Sequence, residues 1–406
     1  MERVFVTGLG VRSAAGDDVE SLWRSLLEGR SGVRRFEGDA ARGLHPWAGA
    51  PAAFDPAEMA SKQLANRIDR VTQLSLLAVG QALGQAGLPS QAVVPARSAV
   101  CWGTGAGGAG STEAAYREFY GAASPRIPPL TVVMGMANAA AGQISIEHAL
   151  RGPMLAFSNA CASAAQAIGE ALWLLRAGRA DLAIAGGGDA FLQPGWVRAW
   201  QALGVLAPPN DDAATACRPF DAQRRGLVLG EGAGALVLET ERHVRARGAF
   251  ALAELAGYGL CADAAHLSKP ERDGQVAAMR MALDDAGLAP ADVGYVNAHG
   301  TGTDGGDPVE IASLRAVFGD APPWTSSTKA LHGHAMGASG AIELVATVLA
   351  LQRRAIPPQW HVRAPLDGAR LALPGSDASW PTGARAALSN SFAFGGCNVS
   401  LLARAA

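Results

Sequence analysis

The chain is poor in cysteine, and its cysteines do not cluster. Its 406 residues include only five of them, and none forms the CxxC pair typical of structural zinc sites or redox motifs. An odd, sparse set of this kind does not build the disulfide framework of a small secreted domain. We therefore expect reduced thiols in a cytoplasmic protein, and no metal site.

Charge and long hydrophobic runs are also scarce. Charged residues make up 17% of the chain and the formal net charge is −2, which gives no electrostatic reason to expect nucleic acid as a partner. Apolar runs are short and are interrupted by glycine or by charge, so no segment is predicted to span a membrane. Residues 1–8 have the pattern of a strand and not that of a signal peptide.

Small and hydrophobic residues, in contrast, are abundant. The chain contains 50 glycines, and 49% of its residues are hydrophobic, so it can form a large core in which helices pack closely on sheets. Its length suggests roughly two or three structural units. Apolar strand segments alternate with amphipathic helices along the chain, which predicts an α/β protein with mostly parallel sheets.

The sequence of the first half is echoed in the second. Residues 81–88 (QALGQAGL) match residues 281–288 (MALDDAGL), and both segments read as helix ends that stop at a glycine. A strand and a glycine-rich loop follow each of them, which indicates an internal duplication with a period of about 200 residues. Two similar halves packed together would bring their loops to a shared centre, where functional groups from both halves could converge.

Cys161 lies at the junction of a short apolar strand, which begins at Leu155, and a helix with Ile168, Leu172 and Leu175 on one face. Free N–H groups and the positive end of the dipole at a helix N-terminus stabilise negative charge. They should lower the pKa of a cysteine there and favour the thiolate, which is the nucleophile. A small cysteine buried under the helix fits the same pattern, so this stretch alone does not decide between the two.

Two histidines of the second half lie in loops of small residues. His299 follows a buried strand within residues 297–303, and His334 precedes an apolar helix. Histidines among glycines and threonines have little core to pack against, so we interpret both as functional, and His332 as a neighbour without a role. Together with Cys161 they supply a nucleophile and two imidazoles.

Other kinds of site are weaker interpretations of these residues. Cysteine and histidine also bind zinc, but no CxxC or HxxxH pair supports a zinc site. A cysteine hydrolase would need one histidine with an Asn or Asp partner, and not two histidines in matching loops. The GxGxxG spacing of residues 103–108 is a weak dinucleotide fingerprint, because no acidic residue ends a following strand at the usual distance.

Several further motifs lie along the chain. They are Val6-Thr-Gly-Leu-Gly10, Gly103-Thr-Gly-Ala-Gly-Gly108, Leu150-Arg-Gly-Pro153, the Cys161 turn, Arg218-Pro-Phe-Asp221, Gly230-Glu-Gly-Ala-Gly234, the two histidine loops and Asn390-Ser-Phe-Ala-Phe-Gly-Gly396. Taken together, and nearly from end to end, the chain resembles the β-ketoacyl-acyl carrier protein synthases of the elongating type, within the thiolase-like superfamily. Two histidines are typical of this type, whereas the initiating synthases pair one histidine with an asparagine.

The resemblance implies a thiolase fold, in which two duplicated α/β halves form a five-layer α-β-α-β-α arrangement. The halves would be residues 1–250, with the nucleophile, and residues 251–406, with both histidines. The implied reaction is decarboxylative Claisen condensation of a carrier-bound acyl chain with malonyl-acyl carrier protein, in fatty acid, polyketide or aryl-polyene synthesis. The rivals are a non-catalytic chain-length factor, which usually lacks the nucleophile, and a coenzyme A-dependent thiolase, whose second cysteine lies in a loop near the position of Cys397.

The resemblance also implies the roles of the central residues. Cys161 would carry the acyl chain as a thioester, and its backbone N–H would form an oxyanion hole with that of Phe394. After malonyl-acyl carrier protein loses carbon dioxide, His299 and His334 would stabilise the oxygen of the resulting enolate.

Supporting residues are implied in the same way. Lys329 and Glu343 match a lysine and a glutamate that hold the histidines in place. The substrate-binding candidates are Thr301 and Thr303, at the pantetheine arm, and Ala106, Trp200 and Ser268. Ala106 is smaller, and Trp200 larger, than the residues common in the family, so the two differences have opposite effects on the space for an acyl chain.

The implied partners are an acyl carrier protein and a second ketosynthase-like chain. The protein would form a homodimer, or a heterodimer with a related ketosynthase or chain-length factor, with residues 130–141 near the partner. Lys62, Arg67 and Arg70 match the region where an acidic carrier protein docks, although a solvated helix face would have the same pattern. No cofactor is implied other than the phosphopantetheine of the carrier protein.

Overall fold

The computed structural model describes residues 2–88, 94–121, 126–209, 212–366 and 371–406. Within these ranges twelve strands and thirteen α-helices alternate along the chain. The strands are β1 (Val4–Ser13), β2 (Arg34–Phe36), β3 (Trp47–Ala50), β4 (Ser98–Gly103), β5 (Met154–Phe157), β6 (Leu182–Ala190), β7 (Leu229–Thr240), β8 (Ala253–Ala262), β9 (Val293–Asn297), β10 (Trp324–Ser326), β11 (Ala386–Phe392) and β12 (Cys397–Arg404).

The helices vary from a single turn to four turns. They are α1 (Val19–Glu28), α2 (Lys62–Ala65), α3 (Arg70–Gln85), α4 (Ala109–Gly121), α5 (Thr131–Gly135), α6 (Ala139–Glu147), α7 (Ser163–Arg176), α8 (Pro194–Leu203), α9 (Glu241–Arg247), α10 (Arg272–Ala286), α11 (Gly306–Phe318), α12 (Lys329–His332) and α13 (Ser339–Arg353). Among the described residues, no helix has the length and hydrophobicity that crossing a membrane requires.

Ten of the strands form one continuous path, to which each half of the chain contributes five. The first half gives the order β1-β7-β6-β4-β5 and the second gives β8-β12-β11-β9-β10. Strand directions match as well, since β4 is parallel to β5 and β6 and β9 is parallel to β10 and β11. The internal duplication predicted from the sequence therefore extends to the order and direction of the strands.

The two halves meet in two ways. At the sheet level, β1 and β8 pair through Phe5–Glu254 and Val6–Ala253. Between the sheets, α7 contacts β4 and β6 of the first half and β8 and β12 of the second, while α13 contacts β7, β9 and β11. Helix α3 covers the outer face of the first sheet and α10 that of the second. The layers thus follow the predicted order of helix, sheet, helix, sheet, helix.

The ends of α1 follow from its local sequence. The Asp18 carboxylate accepts a hydrogen bond from the Ser21 N–H (2.7 Å), which satisfies a backbone donor of the first turn. Gly29 ends the helix in the left-handed conformation, with a φ of 74°, which glycine adopts without a steric penalty. The sequence predicts a helix at about residues 19–28 with four apolar residues on its inner face, Leu22, Trp23, Leu26 and Leu27. The structure confirms the helix and the burial of the first three, whereas Leu27 is 37% exposed.

The sequence predicts a glycine-rich turn at residues 186–188 and a loop at 230–234, and both predictions are wrong. These glycines lie inside β6 and β7. A Cβ atom on Gly186 would lie 2.0 Å from the Gly234 carbonyl oxygen, and one on Gly234 would lie 2.6 Å from the backbone of Ala341 in α13. The glycines therefore serve close packing of the sheet and the central helix, and not a change of chain direction.

Residues 29–60, expected to be a surface excursion, are partly buried. All four residues of β3 are buried, and this strand pairs with β7 through Gly49–Leu229. The Trp47 ring stacks on Phe36 with 4.3 Å between the ring centroids. The segment therefore extends the core beside β7.

Candidate active site

Cys161 lies where the chain leaves strand β5 and enters α7. A 3₁₀ turn, Ala160–Ala162, joins the two elements, and Ala160 has a positive φ of 46°. This conformation is unfavourable for a residue with a Cβ, and the Ser163 hydroxyl holds the turn by donating to the Ala160 carbonyl (2.7 Å). The turn directs the thiol towards a cavity, although Cys161 itself is only 7% exposed.

The two loop histidines of the second half face this thiol. His334 Nε2 lies 3.0 Å from Cys161 Sγ, and the imidazoles of His299 and His334 meet edge to face with centroids 5.4 Å apart. The sulfur and one ring nitrogen of each histidine lie within 4.8 Å of one another. The fold thus brings together the groups whose convergence the duplication predicted.

Buried charges hold the His299 loop from two sides. Lys329 and Glu343 form an ion pair in which neither side chain is accessible to solvent, and Lys329 Nζ donates to the His299 carbonyl (2.6 Å). Glu310 accepts from the N–H groups of His299 (2.8 Å) and Gly300 (2.7 Å). Burial raises the pKa of Glu343 to about 7, although Lys329 acts in the opposite direction.

Burial dominates the electrostatics of the thiol. It raises the pKa of Cys161 to about 12, although Lys329 and the backbone N–H groups of Phe394 and Cys161 act to lower it. The lowered pKa that we expected from the helix N-terminus is therefore wrong for the free protein, because desolvation of the thiolate outweighs the nearby donors. The resemblance assigns the same two N–H groups to an oxyanion hole, and this assignment stays a prediction.

Burial also keeps both imidazoles neutral. The pKa values of His299 and His334 lie well below their usual range, first because of burial and then because of the Lys329 ammonium group. A neutral imidazole has one N–H donor and one acceptor nitrogen. His334 Nδ1 lies 2.8 Å from Ser339 Oγ, whereas His299 Nδ1 is buried and has no hydrogen-bond partner among the described residues.

A cavity of about 250 Å³ opens onto the thiol and both imidazoles. Thr301, Thr303 and Ser268 line it, and the hydroxyls of the two threonines lie 3.0 Å apart. Trp200 and Phe394 form an apolar part of the wall, where their rings stack with centroids 6.1 Å apart. Phe394 is 36% exposed, so the cavity reaches the surface beside it.

Ala106 and His332 lie outside this cavity. Ala106 is not among the residues that line it and belongs to the apolar cluster behind Cys161, with Phe191 and Met336. His332 does not line the cavity either, and its Nε2 lies 3.0 Å from Thr328 Oγ1. That His332 has no role in the chemistry stays a prediction.

A zinc ion fits this arrangement poorly. Tetrahedral zinc, with Zn–S of about 2.3 Å and Zn–N of about 2.0–2.1 Å, holds sulfur and nitrogen ligands about 3.6 Å apart. Cys161 Sγ and His334 Nε2 are 3.0 Å apart, which is a hydrogen-bonding distance. The thiol and the imidazole are thus placed for hydrogen bonding, and the expectation that no metal binds here stays a prediction.

Asp189, which the sequence reasoning missed, ties two loops of the site together. Its buried carboxylate accepts from Thr104 Oγ1 and Gly105 N (both 2.8 Å) and from Gly337 N (2.6 Å). Burial raises its pKa to about 7, against the lowering effect of these hydrogen bonds. An acidic residue near the end of an otherwise apolar strand is the sequence signal that could have revealed it.

Family models match the chain in two consecutive parts. The N-terminal domain of the β-ketoacyl synthases matches residues 1–243, and their C-terminal domain matches residues 252–363. The chain belongs to the β-ketoacyl synthase family. The resemblance that its motifs indicated is thereby confirmed.

Relatives in the β-ketoacyl synthase family align over nearly the whole chain. Nodulation protein E of Rhizobium sp. (strain N33) is 41% identical over 404 residues, which cover 99% of each chain. The 3-oxoacyl-[acyl-carrier-protein] synthase 2 of Vibrio harveyi is 38% identical over 406 residues, which cover 98% of each chain.

Solved structures of the family have the same fold as this chain. A β-ketoacyl synthase from Burkholderia phymatum STM815 has a TM-score of 0.92 and 33% identity over the whole of both chains. The ishigamide ketosynthase/chain length factor has a TM-score of 0.90 and 32% identity, over 100% of this chain and 99% of that chain. The predicted thiolase fold is confirmed, while the division into residues 1–250 and 251–406 stays a prediction.

Proposed function

We propose that the protein catalyses decarboxylative Claisen condensation between a carrier-bound acyl chain and malonyl-acyl carrier protein. The products are 3-oxoacyl-acyl carrier protein, carbon dioxide and the free first carrier. The observation that carries this proposal is the meeting of one thiol and two neutral imidazoles at a cavity open to solvent. The name of the Vibrio harveyi relative supports the same reaction.

The first step is transfer of the acyl group to Cys161. Its sulfur attacks the thioester carbonyl, and the pantetheine sulfur leaves and takes up the proton that the thiol gives up, so the step is neutral in protons. The resemblance assigns the N–H groups of Cys161 and Phe394 to the oxyanion hole, where the carbonyl oxygen would gain negative charge, and their lowering effect on the pKa of Cys161 supports this assignment. Fixed donors in a buried site stabilise such charge more strongly than water does.

The second step uses the two imidazoles. Loss of carbon dioxide from the malonyl group leaves an enolate, and hydrogen bonds from His299 and His334 stabilise its oxygen. The enolate carbon attacks the acyl carbonyl on Cys161 and forms the new carbon–carbon bond. The Cys161 sulfur leaves and is protonated by one proton from solvent, which completes the cycle. Neutral imidazoles suit this step because each keeps an N–H donor.

The long arm of a carrier substrate fits the cavity. Thr301, Thr303 and Ser268 line it between the surface and the thiol, which supports their assignment to the pantetheine arm. Trp200 and Phe394 form the apolar wall near Cys161. Ala106 would affect the acyl chain from behind the thiol, since it packs in the cluster that contains Cys161. No further cofactor is needed by these steps.

Exposed apolar surface supports a dimer. Strand β5 forms one end of the strand path, and its residues Met154 and Leu155 are 42% and 40% exposed. In α4 and α5, Tyr120 and Val132 are 82% and 67% exposed. Unpaired edge strands and apolar patches of this kind mark interaction surfaces. We infer that a second copy, or a related chain-length factor, covers them together with residues 130–141.

The carrier-docking residues divide in two. Lys62 and Arg67 are exposed and remain candidates for contact with an acidic carrier protein. Arg70 is bound within the protein, because its guanidinium donates to the buried carboxylate of Glu231 (2.8 Å).

All five cysteines are free thiols, which supports a reducing, cytoplasmic compartment.

The decisive experiment is to incubate the protein with acyl carrier proteins of graded chain length and with malonyl-acyl carrier protein. We expect an acyl adduct on the protein by intact mass, release of carbon dioxide, and a 3-oxoacyl product. Cys161→Ser should abolish the adduct, whereas Cys217→Ser, which changes a buried thiol outside the cavity, should retain it. A protein that forms no adduct and releases no carbon dioxide would be a non-catalytic partner. Turnover of acetyl-coenzyme A alone would indicate a thiolase.

A further inference from the structure

Ser339 contacts the catalytic machinery although no substrate atom can reach it. It is the first residue of α13 and is fully buried, and its Oγ lies 2.8 Å from Nδ1 of His334. The other ring nitrogen of the same imidazole, Nε2, lies 3.0 Å from Cys161 Sγ. Serine, histidine and cysteine thus form a short chain of polar groups that ends at the nucleophile.

The direction of the Ser339–His334 hydrogen bond decides which nitrogen carries the proton. Among the described residues, Ser339 Oγ has no hydrogen-bond partner other than His334 Nδ1. If Nδ1 carried the proton, the serine hydroxyl would be a buried donor without an acceptor, which is unfavourable. If the serine donates to Nδ1, Nε2 carries the proton and donates to Cys161 Sγ. The donor then left over is the thiol S–H, which forms only weak hydrogen bonds.

The equivalent serine of the first half shows the alternative. In each half a residue with φ of 46°, Ala160 or Met336, opens a 3₁₀ turn that leads into a central helix, and Ser163 stands where Ser339 stands. The Ser163 hydroxyl donates to the carbonyl of Ala160 in its own turn (2.7 Å). Ser339 makes no such bond to its own turn among the described contacts, and its hydroxyl meets the imidazole instead.

The loop between His334 and Ser339 is anchored, so the contact is fixed by the fold. Gly337, at its centre, donates to the buried carboxylate of Asp189 (2.6 Å). A Cβ on Gly337 would lie 2.4 Å from Gly105 N, which means that the loop packs directly against the neighbouring one. The imidazole and the hydroxyl are therefore held in register without help from substrate.

We propose that Ser339 is a positioning residue whose hydroxyl donates to His334 Nδ1 and holds the imidazole in the tautomer that carries its proton on Nε2. His334 then enters each cycle as a hydrogen-bond donor that faces the reacting atoms. The donor needed to stabilise the enolate is in place before malonyl-acyl carrier protein binds, and no tautomer exchange precedes decarboxylation.

The direct test is the position of the proton on His334. Nitrogen-15 NMR of the full-length protein, labelled only at histidine, separates a protonated from an unprotonated ring nitrogen, and the His334→Gln variant assigns the signals. We expect a protonated Nε2 and an unprotonated Nδ1 in the wild type. In Ser339→Ala we expect a mixture of the two tautomers of His334. A wild-type imidazole with its proton on Nδ1 would overturn the proposal.

The kinetic test uses carbon dioxide release from malonyl-acyl carrier protein and rests on the proposed function. Loss of one hydrogen bond of ordinary strength predicts that Ser339→Ala lowers kcat by about tenfold with KM unchanged, and that Ser339→Thr, which keeps a hydroxyl, recovers most of the loss. Ser75→Ala removes an equally buried hydroxyl, bonded to Val71 O in α3, and should leave kcat unchanged. Equal kcat values for Ser339→Ala and the wild type would contradict the proposal.

The two measurements separate the failure of this proposal from that of the proposed function. A wild-type protein that releases no carbon dioxide contradicts the condensation, while the NMR experiment still locates the proton. An active wild type with the proton of His334 on Nδ1 contradicts the role of Ser339 and leaves the condensation standing.

Discussion

His334 Nε2 lies 3.0 Å from Cys161 Sγ, although 173 positions separate the two residues along the chain. The contact exists because duplicated turns, one from each half, end at the same place between the two sheets. The first-half turn supplies the thiol at its second position, and the second-half turn has Gly337 there instead. Duplication followed by divergence thus leaves one nucleophile, and the loop before the second turn supplies the imidazole that faces it.

Replacing Lys329 with methionine should destabilise the protein by about 3–5 kcal/mol, because Glu343 would remain buried without its cation. It should also lower the rate of carbon dioxide release, since the His299 carbonyl loses its hydrogen bond from Nζ. Urea denaturation and the decarboxylation assay measure the two effects. Lys62→Met, at an exposed lysine, is the control for loss of charge.

A double variant separates the two roles of this ion pair. Lys329→Met combined with Glu343→Leu removes both buried charges, and we expect it to recover much of the stability but not the activity. A Lys329→Met variant as stable as the wild type would show that the buried pair does not stabilise the fold.

The decarboxylation rate should not show the decrease below about pH 6.5 that protonation of an ordinary histidine produces. Burial and Lys329 lower the pKa values of His299 and His334 well below 6.5, so both rings stay neutral as the pH falls from about 7.5 to about 6. Any change of kcat over this range should come from the buried carboxyls of Asp189 and Glu343, whose pKa is raised to about 7, and not from the imidazoles. Nitrogen-15 NMR of histidine-labelled protein over the same range separates the two, because signals of His299 or His334 that shift with an apparent pKa near about 6.5 would contradict neutral donors at the site.

The same histidines should make stability depend on pH. Below about 6.5 the unfolded chain binds protons at these rings while the folded chain does not, so the contribution of the two histidines to the free energy of unfolding decreases as the pH falls. The buried carboxyls of Asp189 and Glu343, whose pKa is raised to about 7, contribute in the opposite direction. Thermal melts from about pH 7.5 to about pH 5 isolate the histidine contribution when the wild type is compared with a His299→Gln/His334→Gln double variant, whose melting temperature relative to that of the wild type should rise as the pH falls.

Asp189→Asn should impair catalysis through the loops that this residue joins. Gly105 N and Gly337 N both donate to Oδ2, whereas Thr104 Oγ1 donates to Oδ1. An amide NH₂ in place of either oxygen loses the bonds that this oxygen accepts, so we expect a loss of about 1–3 kcal/mol in stability and a lower kcat per folded molecule. Glu239→Gln is the matched control, because Glu239 is equally buried and bonds to Thr7 and Arg247 away from the cavity. It should lower stability and spare kcat. A folded Asp189→Asn protein with the wild-type kcat would show that Asp189 does not contribute to catalysis.

Two glycine substitutions should have opposite effects on stability. Gly234→Ala places a methyl group 2.6 Å from the backbone of Ala341, and overpacking of this kind costs about 1–3 kcal/mol. At Gly80, in α3, no atom of the described residues, apart from the backbone of its own helix, lies within 4 Å of the position that a methyl group would occupy. Gly80→Ala should therefore stabilise the helix by up to about 1 kcal/mol. Melting temperatures that move in the same direction would contradict this account.

Elements with clear periodicity and local end signals were predictable from the sequence. Helix α1, with its Asp18 cap and Gly29 end, needs no tertiary information, and the apolar strands of both halves follow from their hydrophobic runs. Cys161, His299 and His334 could be proposed as one site because each lies in a loop of small residues next to a buried element.

What depends on distant neighbours was not predictable. The glycines of β6 and β7 have the pattern of turns in the sequence, because their reason, close packing against α13, appears only in the folded protein. The pKa of Cys161 depends on how completely the fold excludes water, which a helix N-terminus in the sequence does not reveal. The contacts of Asp189 and Ser339 depend on loops that only tertiary structure brings together.

Helix α13 is buried from Ser339 to Leu351 because strands of both halves surround it. A fragment that ended near residue 250 would lack this helix, and although α7 would still cover β4 and β6, the inner side of β7 would lose its main packing partner. We therefore expect that the first portion does not fold by itself and that a calorimetric scan shows the whole polypeptide melting in a single cooperative transition. A change that weakens the packing around α13 should therefore also separate Cys161, His299 and His334.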